Sequence, residues 1–149
     1  MISDFLKPSL YISFSPPAIG EEEEREVLDS LRSGWVTTGP KVKEFENKIA
    51  EFVQAKEAVA TFSCTDAMHL ALNTLGVQEG DEVITTPYTF ASTAHVICYQ
   101  RAKPVFIDVE ADSFNIDPKK IEEKITPKTK AILPVHFAGH ACDMDPIMD

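Results

Sequence analysis

No G-x-G-x-x-G follows an apolar run in this chain, and no G-x-x-x-x-G-K-[ST] occurs in it. Two familiar ways of cradling a nucleotide phosphate on a glycine loop are therefore missing, and NAD and NTP readings fall with them. Basic residues are in the minority: 14 Lys and Arg stand against 24 Asp and Glu, a net charge of −10. That balance argues against a nucleic-acid or anionic-membrane surface, while leaving room for one local basic pocket that holds a phosphate. Long apolar runs are lacking as well. The first residues carry Asp4 and Lys7 and break at Pro8, Pro16 and Pro17, so neither a signal peptide nor a membrane span is read there, and a cytoplasmic protein is the default expectation. Cys64, Cys98 and Cys142 are odd in number and far apart, a pattern that suits free thiols in a reducing compartment better than a disulfide framework. There is no internal repeat, low-complexity tract or linker.

What is present is enough for a core: 149 residues, 44% of them hydrophobic, read as one soluble globular domain spanning the whole chain. Residues 1–20 are Pro-punctuated. Gly20 and the run Glu21 to Glu24 then start a helix whose acidic first turn suits the helix dipole, with Val27, Leu28 and Leu31 as its apolar stripe. A turn-rich loop over 33–40 places Pro40 at the first position of a second helix. There Val42, Phe45, Ile49, Phe52 and Val53 recur at three- and four-residue spacing on one face. Beyond it, strand candidates at Ala58–Phe62, Glu82–Thr86, Pro104–Asp108 and Ala131–Val135 alternate with helical runs near 66–75, 90–100 and 118–125. This alternation predicts an α/β fold with a mostly parallel sheet and helices on both faces, with candidate ligand residues at the strand ends that lead into helices. Ser63–Asp66, Pro87–Phe90 and His136–Asp143 lie at such ends. Asp117-Pro118 is a helix start, and Gly76 and Gly80 bound the turn before the second strand candidate.

The stretch Ser63-Cys64-Thr65-Asp66 joins an apolar run to a helix through small polar residues. Thr65 as helix cap would leave first-turn N–H groups and the positive dipole end facing an anion, and a phosphate fits. An ordinary capped helix packed on a sheet reads the same residues without a ligand. Thr89 and Phe90 likewise have two readings: a cap and a packed aromatic, or a ring that stacks on a flat heteroaromatic cofactor. His136, His140, Cys142 and Asp143 carry metal-donor atoms, but their spacing matches no standard zinc pattern, and Asp143 also reads as a helix N-cap.

Seven segments together resemble the DegT/DnrJ/StrS family of pyridoxal 5′-phosphate (PLP)-dependent sugar aminotransferases, in the family's order and nearly end to end. They are Ser33-Gly34-Trp35-Val36-Thr37-Thr38-Gly39-Pro40, the stretch Ser63 to Leu72, Gly80 to Thr85, Thr89-Phe90, Ala102 to Asp108, Asn115-Ile116-Asp117-Pro118, and Pro134 to His140. The resemblance implies the N-terminal part of a fold-type I aminotransferase large domain. It implies that Thr65, with the backbone around Cys64 and Asp66, holds the PLP phosphate, and that Phe90 stacks on the pyridine ring. His140 stands where many relatives carry Gln.

The resemblance also implies what lies elsewhere. The carboxylate that meets the pyridine nitrogen and the lysine that carries PLP are expected beyond Asp149, and Lys41, Lys103 and Lys130 sit in no matching context. No catalytic residue is thus assigned in this chain, which alone should be inactive. The expected whole is a PLP enzyme moving an amino group from glutamate to a keto-sugar nucleotide. Its expected partners are a second copy of the chain and, for a split enzyme, a complementary C-terminal chain. A different class of reading is a non-catalytic interaction remnant of the same fold. A third is a metal-assisted hydrolase centred on His136, His140 and Asp143. The sequence does not identify the sugar.

Overall fold

The computed structural model describes residues 16–149, so the expectations for residues 1–15 fall outside it. The chain divides into two compact units, Met1–Ala60 and Thr61–Asp149, and each unit is described by itself.

The described residues of the first unit form a pair of helices, α1 (Glu21–Ser33) and α2 (Pro40–Phe52). Gly20 is extended at the N-cap of α1, and its N–H is taken by the Glu23 carboxylate at 2.7 Å, with four glutamates in the first turn against the dipole. Gly34, at φ 77°, closes α1 in the left-handed conformation. Pro40 opens α2 as expected. In the loop between them the Trp35 ring lies so close to Gly39 that a Cβ there would come to 3.0 Å of it; no larger residue fits without moving the ring. Lys41 ties the helices together, reaching Glu26 at 2.7 Å and Asp29 at 2.9 Å. The amphipathic stripes are as the spacing predicts, yet Ala50 is the one buried residue in the two helices, and Val27, Leu28, Leu31, Phe45 and Phe52 are all exposed.

The second unit is built on a parallel sheet of order β2-β1-β3, with β1 at Glu82–Thr85, β2 at Lys103–Phe106 and β3 at Thr129–Leu133. The three strands match the predicted runs to within two residues at each end. Every β1 residue is buried, which is why Val83 and Ile84 form an apolar pair rather than an apolar–polar alternation. Val83 faces a cluster of Leu72, Val77, Val96, Ile97 and Ala102, drawn from α3 (Cys64–Thr74), α4 (Ser92–Tyr99) and the turns around them. Ile84 points to the other face, into Ile107, Ile116, Ile121 and Cys142, with Met144 and Ile147 packed on that cluster. Helical elements thus cover both faces, as expected of this α/β class.

Three expectations change. Ala58–Phe62 is not a strand: among the described residues no neighbour pairs with it, and an unpaired strand leaves its backbone groups to water. Val59 and Phe62 are accordingly exposed. The run 118–125 forms two 3₁₀ turns, Pro118–Lys120 and Glu122–Lys124, rather than one helix. Asp117 caps the first through the Lys119 N–H at 3.0 Å, and Pro127 biases Thr126 away from helix. Asp143 is not an N-cap, because the short α5 (Asp145–Met148) starts from Met144.

Candidate functional site

α3 runs from the C-terminal rim of the sheet back towards its N-terminal edge, where a seven-residue turn leads into Glu82; α4, which connects parallel strands β1 and β2, runs the same way. The two helices pack side by side, with the His69 and Tyr99 rings 5.7 Å apart. Both helices therefore begin towards the rim where open α/β sheets gather ligands.

At the start of α3 the structure corrects the assignment of the cap. Ser63, not Thr65, is the N-cap: its backbone is extended and its Oγ accepts the Asp66 N–H at 3.1 Å. The same hydroxyl lies 3.1 Å from Asp66 Oδ2, so the carboxylate is turned back onto the cap. The S-x-x-D spacing carries this signal, being that of a capping box with a shorter acid. Thr65 falls one step inside the helix and is freed from capping. Among the described residues, no acceptor meets the backbone N–H of Cys64 or Thr65, and the Thr65 hydroxyl has no partner. Two N–H donors and one hydroxyl at the positive end of an 11-residue helix match what an oxyanion needs. Cys64 and Asp66 are exposed and Thr65 half-buried.

Phe90 follows β1 at the same rim. Its ring is 79% exposed, so it is not packed into the core, and the bland reading of it as a packing residue does not hold. It borders a cavity of about 290 Å³ lined by Pro87, Tyr88, Thr89, Phe90, Val135, Phe137 and Ala138, residues that come from the ends of the adjacent strands β1 and β3. Cys64, Thr65 and Asp66 do not line this cavity. Thr89 does not cap α4 through its backbone; its hydroxyl pairs with that of buried Thr93 at 2.8 Å. Tyr88, Phe114 and Phe137 form a three-ring wall, with Tyr88 and Phe137 centroids 4.9 Å apart. Of these rings the sequence places Tyr88 and Phe137 at strand ends, without singling either out, and does not reach Phe114. Phe114 and Phe137 are far apart in the chain, and no short-range pattern joins them.

The structure does not bring His136, His140, Cys142 and Asp143 together: among the described residues no group of three or more His, Cys, Asp or Glu side chains is placed to hold a metal. Instead His136 Nδ1 accepts the Cys142 N–H at 3.0 Å, and the buried Cys142 thiol donates to the Val135 carbonyl at 3.2 Å. Burial pushes that thiol above its ordinary pKa, which keeps it protonated and a poor metal ligand. No helix among the described residues is long and apolar enough to cross a membrane.

Residues 17–149 match the model of the DegT/DnrJ/EryC1/StrS aminotransferase family. The spore coat polysaccharide biosynthesis protein SpsC of Bacillus subtilis is 52% identical over 142 residues, 95% of this chain and 36% of SpsC. Among solved structures, Spr1654 from Streptococcus pneumoniae, provisionally named a sugar aminotransferase, superposes with a TM-score of 0.88 at 46% identity, over 92% of this chain and 34% of its own, and it is also known in PLP and PMP forms. The aminotransferase from Psychrobacter cryohalolentis gives a TM-score of 0.84 at 40% identity, over 91% of this chain and 35% of its own. The chain therefore spans about a third of the length of these relatives. It belongs to the DegT/DnrJ/EryC1/StrS aminotransferase family.

Proposed function

We propose that this chain forms the phosphate- and ring-holding part of a PLP-dependent sugar aminotransferase. The observation that carries the reading is the set of free donors on the first turn of α3: the N–H groups of Cys64 and Thr65 and the Thr65 hydroxyl. Their chemistry suits a phosphate dianion, since charge-assisted hydrogen bonds at a helix N-terminus are the strong kind. Asp66 is held back by Ser63, so its carboxylate is drawn toward the cap. Phe90 offers an exposed ring face to a flat heteroaromatic group. Bound there, PLP would supply an electron sink for a carbanion at the amino-bearing carbon. The part of this chain would be to anchor the phosphate, orient the ring plane and shield one ring face from water. The amine that carries the cofactor and the carboxylate for the ring nitrogen are expected from protein outside these residues. With them, the proposed reaction takes an amino group from glutamate to a keto-sugar nucleotide. A second copy of the chain, or a complementary chain, is the proposed partner.

The test is a titration of the chain with PLP, pyridoxal and inorganic phosphate. Thr65→Val should weaken PLP and phosphate by about tenfold or more, as expected for a lost charge-assisted bond of about 1.5–3 kcal/mol. Phe90→Ala should weaken pyridoxal and PLP but not phosphate. Unchanged affinities in folded Thr65→Val would remove Thr65 from the seat. Co-expression with the remaining two thirds of a relative, assayed for amino transfer from glutamate to a panel of keto-sugar nucleotides, separates an enzyme part from a non-catalytic remnant.

A further inference from the structure

We infer that Asn115 is a positioning residue for the ring pocket, acting as a clamp that holds its far wall in a strained shape. The inference rests on the proposed role of Phe90 in facing the cofactor ring, and extends it to the cavity that Phe90 borders.

Asn115 is buried at 2% exposure. All of its amide bonds go to one loop more than twenty residues away: its Oδ1 accepts the Phe137 N–H at 2.9 Å, and its Nδ2 donates to the carbonyls of His140 at 3.0 Å and Ala141 at 3.1 Å. These three bonds bracket Ala138 and Gly139, which stand at φ 52° and φ 80°. A left-handed alanine is strained and persists only where its surroundings over-determine it. Hydrogen bonds on both sides of the turn do that. Phe114, next to the clamp, also stands at positive φ, 59°, and its ring packs against Tyr88 and Phe137 with centroids at 5.4 and 5.7 Å. Two strained positions thus meet across a single buried amide.

The turn so held supplies Phe137 and Ala138 to the cavity that Phe90 borders. Packing of buried apolar residues would not need an amide here, since an apolar side chain of the same volume avoids the cost of burying polar atoms. What the amide adds is direction: it fixes where Phe137 begins and where the chain leaves the turn. Without it, the turn keeps only its own backbone bonds, Gly139 N–H to the His136 carbonyl at 3.1 Å and His140 N–H to the Phe137 carbonyl at 2.9 Å, and relaxation of Ala138 to negative φ would carry Phe137 away from Tyr88. The pocket wall then opens, while α3 and its donors, which share no bond with Asn115, keep their geometry.

Asn115→Leu and the milder Asn115→Ser, which keeps one hydrogen-bonding atom, test this. In the free chain, amide exchange at Phe137 should speed up about tenfold or more relative to Val83 in β1, in line with loss of a buried hydrogen bond. In binding, the affinity for PLP should fall about tenfold while that for inorganic phosphate stays within about twofold. If Asn115→Leu does not fold, Asn115→Ser carries both measurements. Unaltered exchange at Phe137, or PLP affinity retained in a folded variant, overturns the inference. So does a parallel loss of PLP and phosphate, which would make Asn115 a stability residue alone. A wild-type chain that binds PLP no more tightly than phosphate fails differently. It removes the ring pocket from the proposed function, and the role given to Asn115 in ligand binding with it.

Discussion

The two units put apolar sequence to opposite ends. In residues 16–60 the helices have clear apolar stripes, and Ala50 is their one buried residue. In residues 61–149 a four-residue strand, β1, is buried on both faces and separates two clusters of aliphatic side chains. The difference is that a helix stripe needs an opposing surface, whereas a central parallel strand receives one on each face from its own crossovers. Periodicity in sequence therefore announces a helix and the face it has to bury, but not what buries it. In the first unit the described contacts between helices are polar ties from Lys41 and the Trp35–Gly39 turn; in the second, aliphatic side chains of α3 and α4 share one buried cluster beside the His69–Tyr99 ring contact.

The contrast is broken most directly by Ile84→Ala against Val27→Ala. Ile84 is fully buried in β1 and its deletion leaves a cavity, so a loss of about 2–5 kcal/mol is expected. Val27 is 60% exposed, and an exposed truncation should cost less than about 0.5 kcal/mol. Urea denaturation of both variants, followed by amide exchange at β1, gives the comparison. A Val27→Ala cost as large as that of Ile84→Ala would show that α1 is covered in solution.

A smaller effect is expected at the first turn of α3. Ser63→Ala removes the side-chain cap and should cost about 1 kcal/mol, read as faster exchange at the Asp66 amide. It should also release the Asp66 carboxylate from Ser63, bringing a negative charge closer to the free donors and weakening phosphate binding. If Thr65→Ala proves the costlier of the two in the free chain, the cap has been misplaced.

That site shows how far sequence reaches. The helix start was legible, because small polar residues between an apolar run and a helix suit a cap, and the first-turn N–H groups proposed as an anion seat follow from it. The exact cap was not: Ser63 and Thr65 are both good caps, and only the backbone conformation decides between them. The strands β1 to β3 were legible because each is a dense apolar run beside turn residues. Ala58–Phe62 looks the same in composition, but strand formation depends on a pairing partner, which composition does not report. The rim wall of Tyr88, Phe114 and Phe137 and the Asn115 clamp were not legible, since both join segments far apart in sequence.

The next effect is one of pH. Glu82 opens β1 and is nearly buried; the Thr126 hydroxyl at 2.7 Å, and then the Lys103 ammonium at 3.0 Å, hold its carboxyl below the ordinary glutamate range. A depressed folded-state pKa contributes stability that is present above the unfolded value, about 4.3. That contribution is lost as pH falls through the folded value. The second unit should therefore lose stability on acidification below about pH 4.3, and Thr126→Val should flatten that part of the profile. An unchanged acid slope in Thr126→Val would assign it to other carboxylates.

The smallest expected effect belongs to Lys41, and it sharpens the contrast because it acts where the described residues form no buried cluster. Its ammonium meets Glu26 and Asp29 of α1 and also the Glu26 carbonyl at 2.9 Å. The bonds to Glu26 first, and then to Asp29, hold its pKa above the ordinary lysine value. A raised folded-state pKa contributes stability that is fully present below the unfolded value, about 10.4. It is lost only as pH rises through the folded value, so at neutral pH the tie is intact. The ion pairs are solvent-exposed, however, with side chains 41% and 66% accessible, and exposed pairs are weakened by side-chain entropy and screening. Lys41→Met should therefore lower the melting midpoint of α1 and α2 slightly at low salt, and the difference from wild type should vanish at about 1 M salt, where the screening length is about 3 Å. The same salt series should leave the Ile84→Ala deficit in place, since cavity loss does not respond to screening. A Lys41→Met deficit that survives high salt would mean that the lysine stem packs against α1, and that the first unit holds more apolar contact than its exposed stripes suggest.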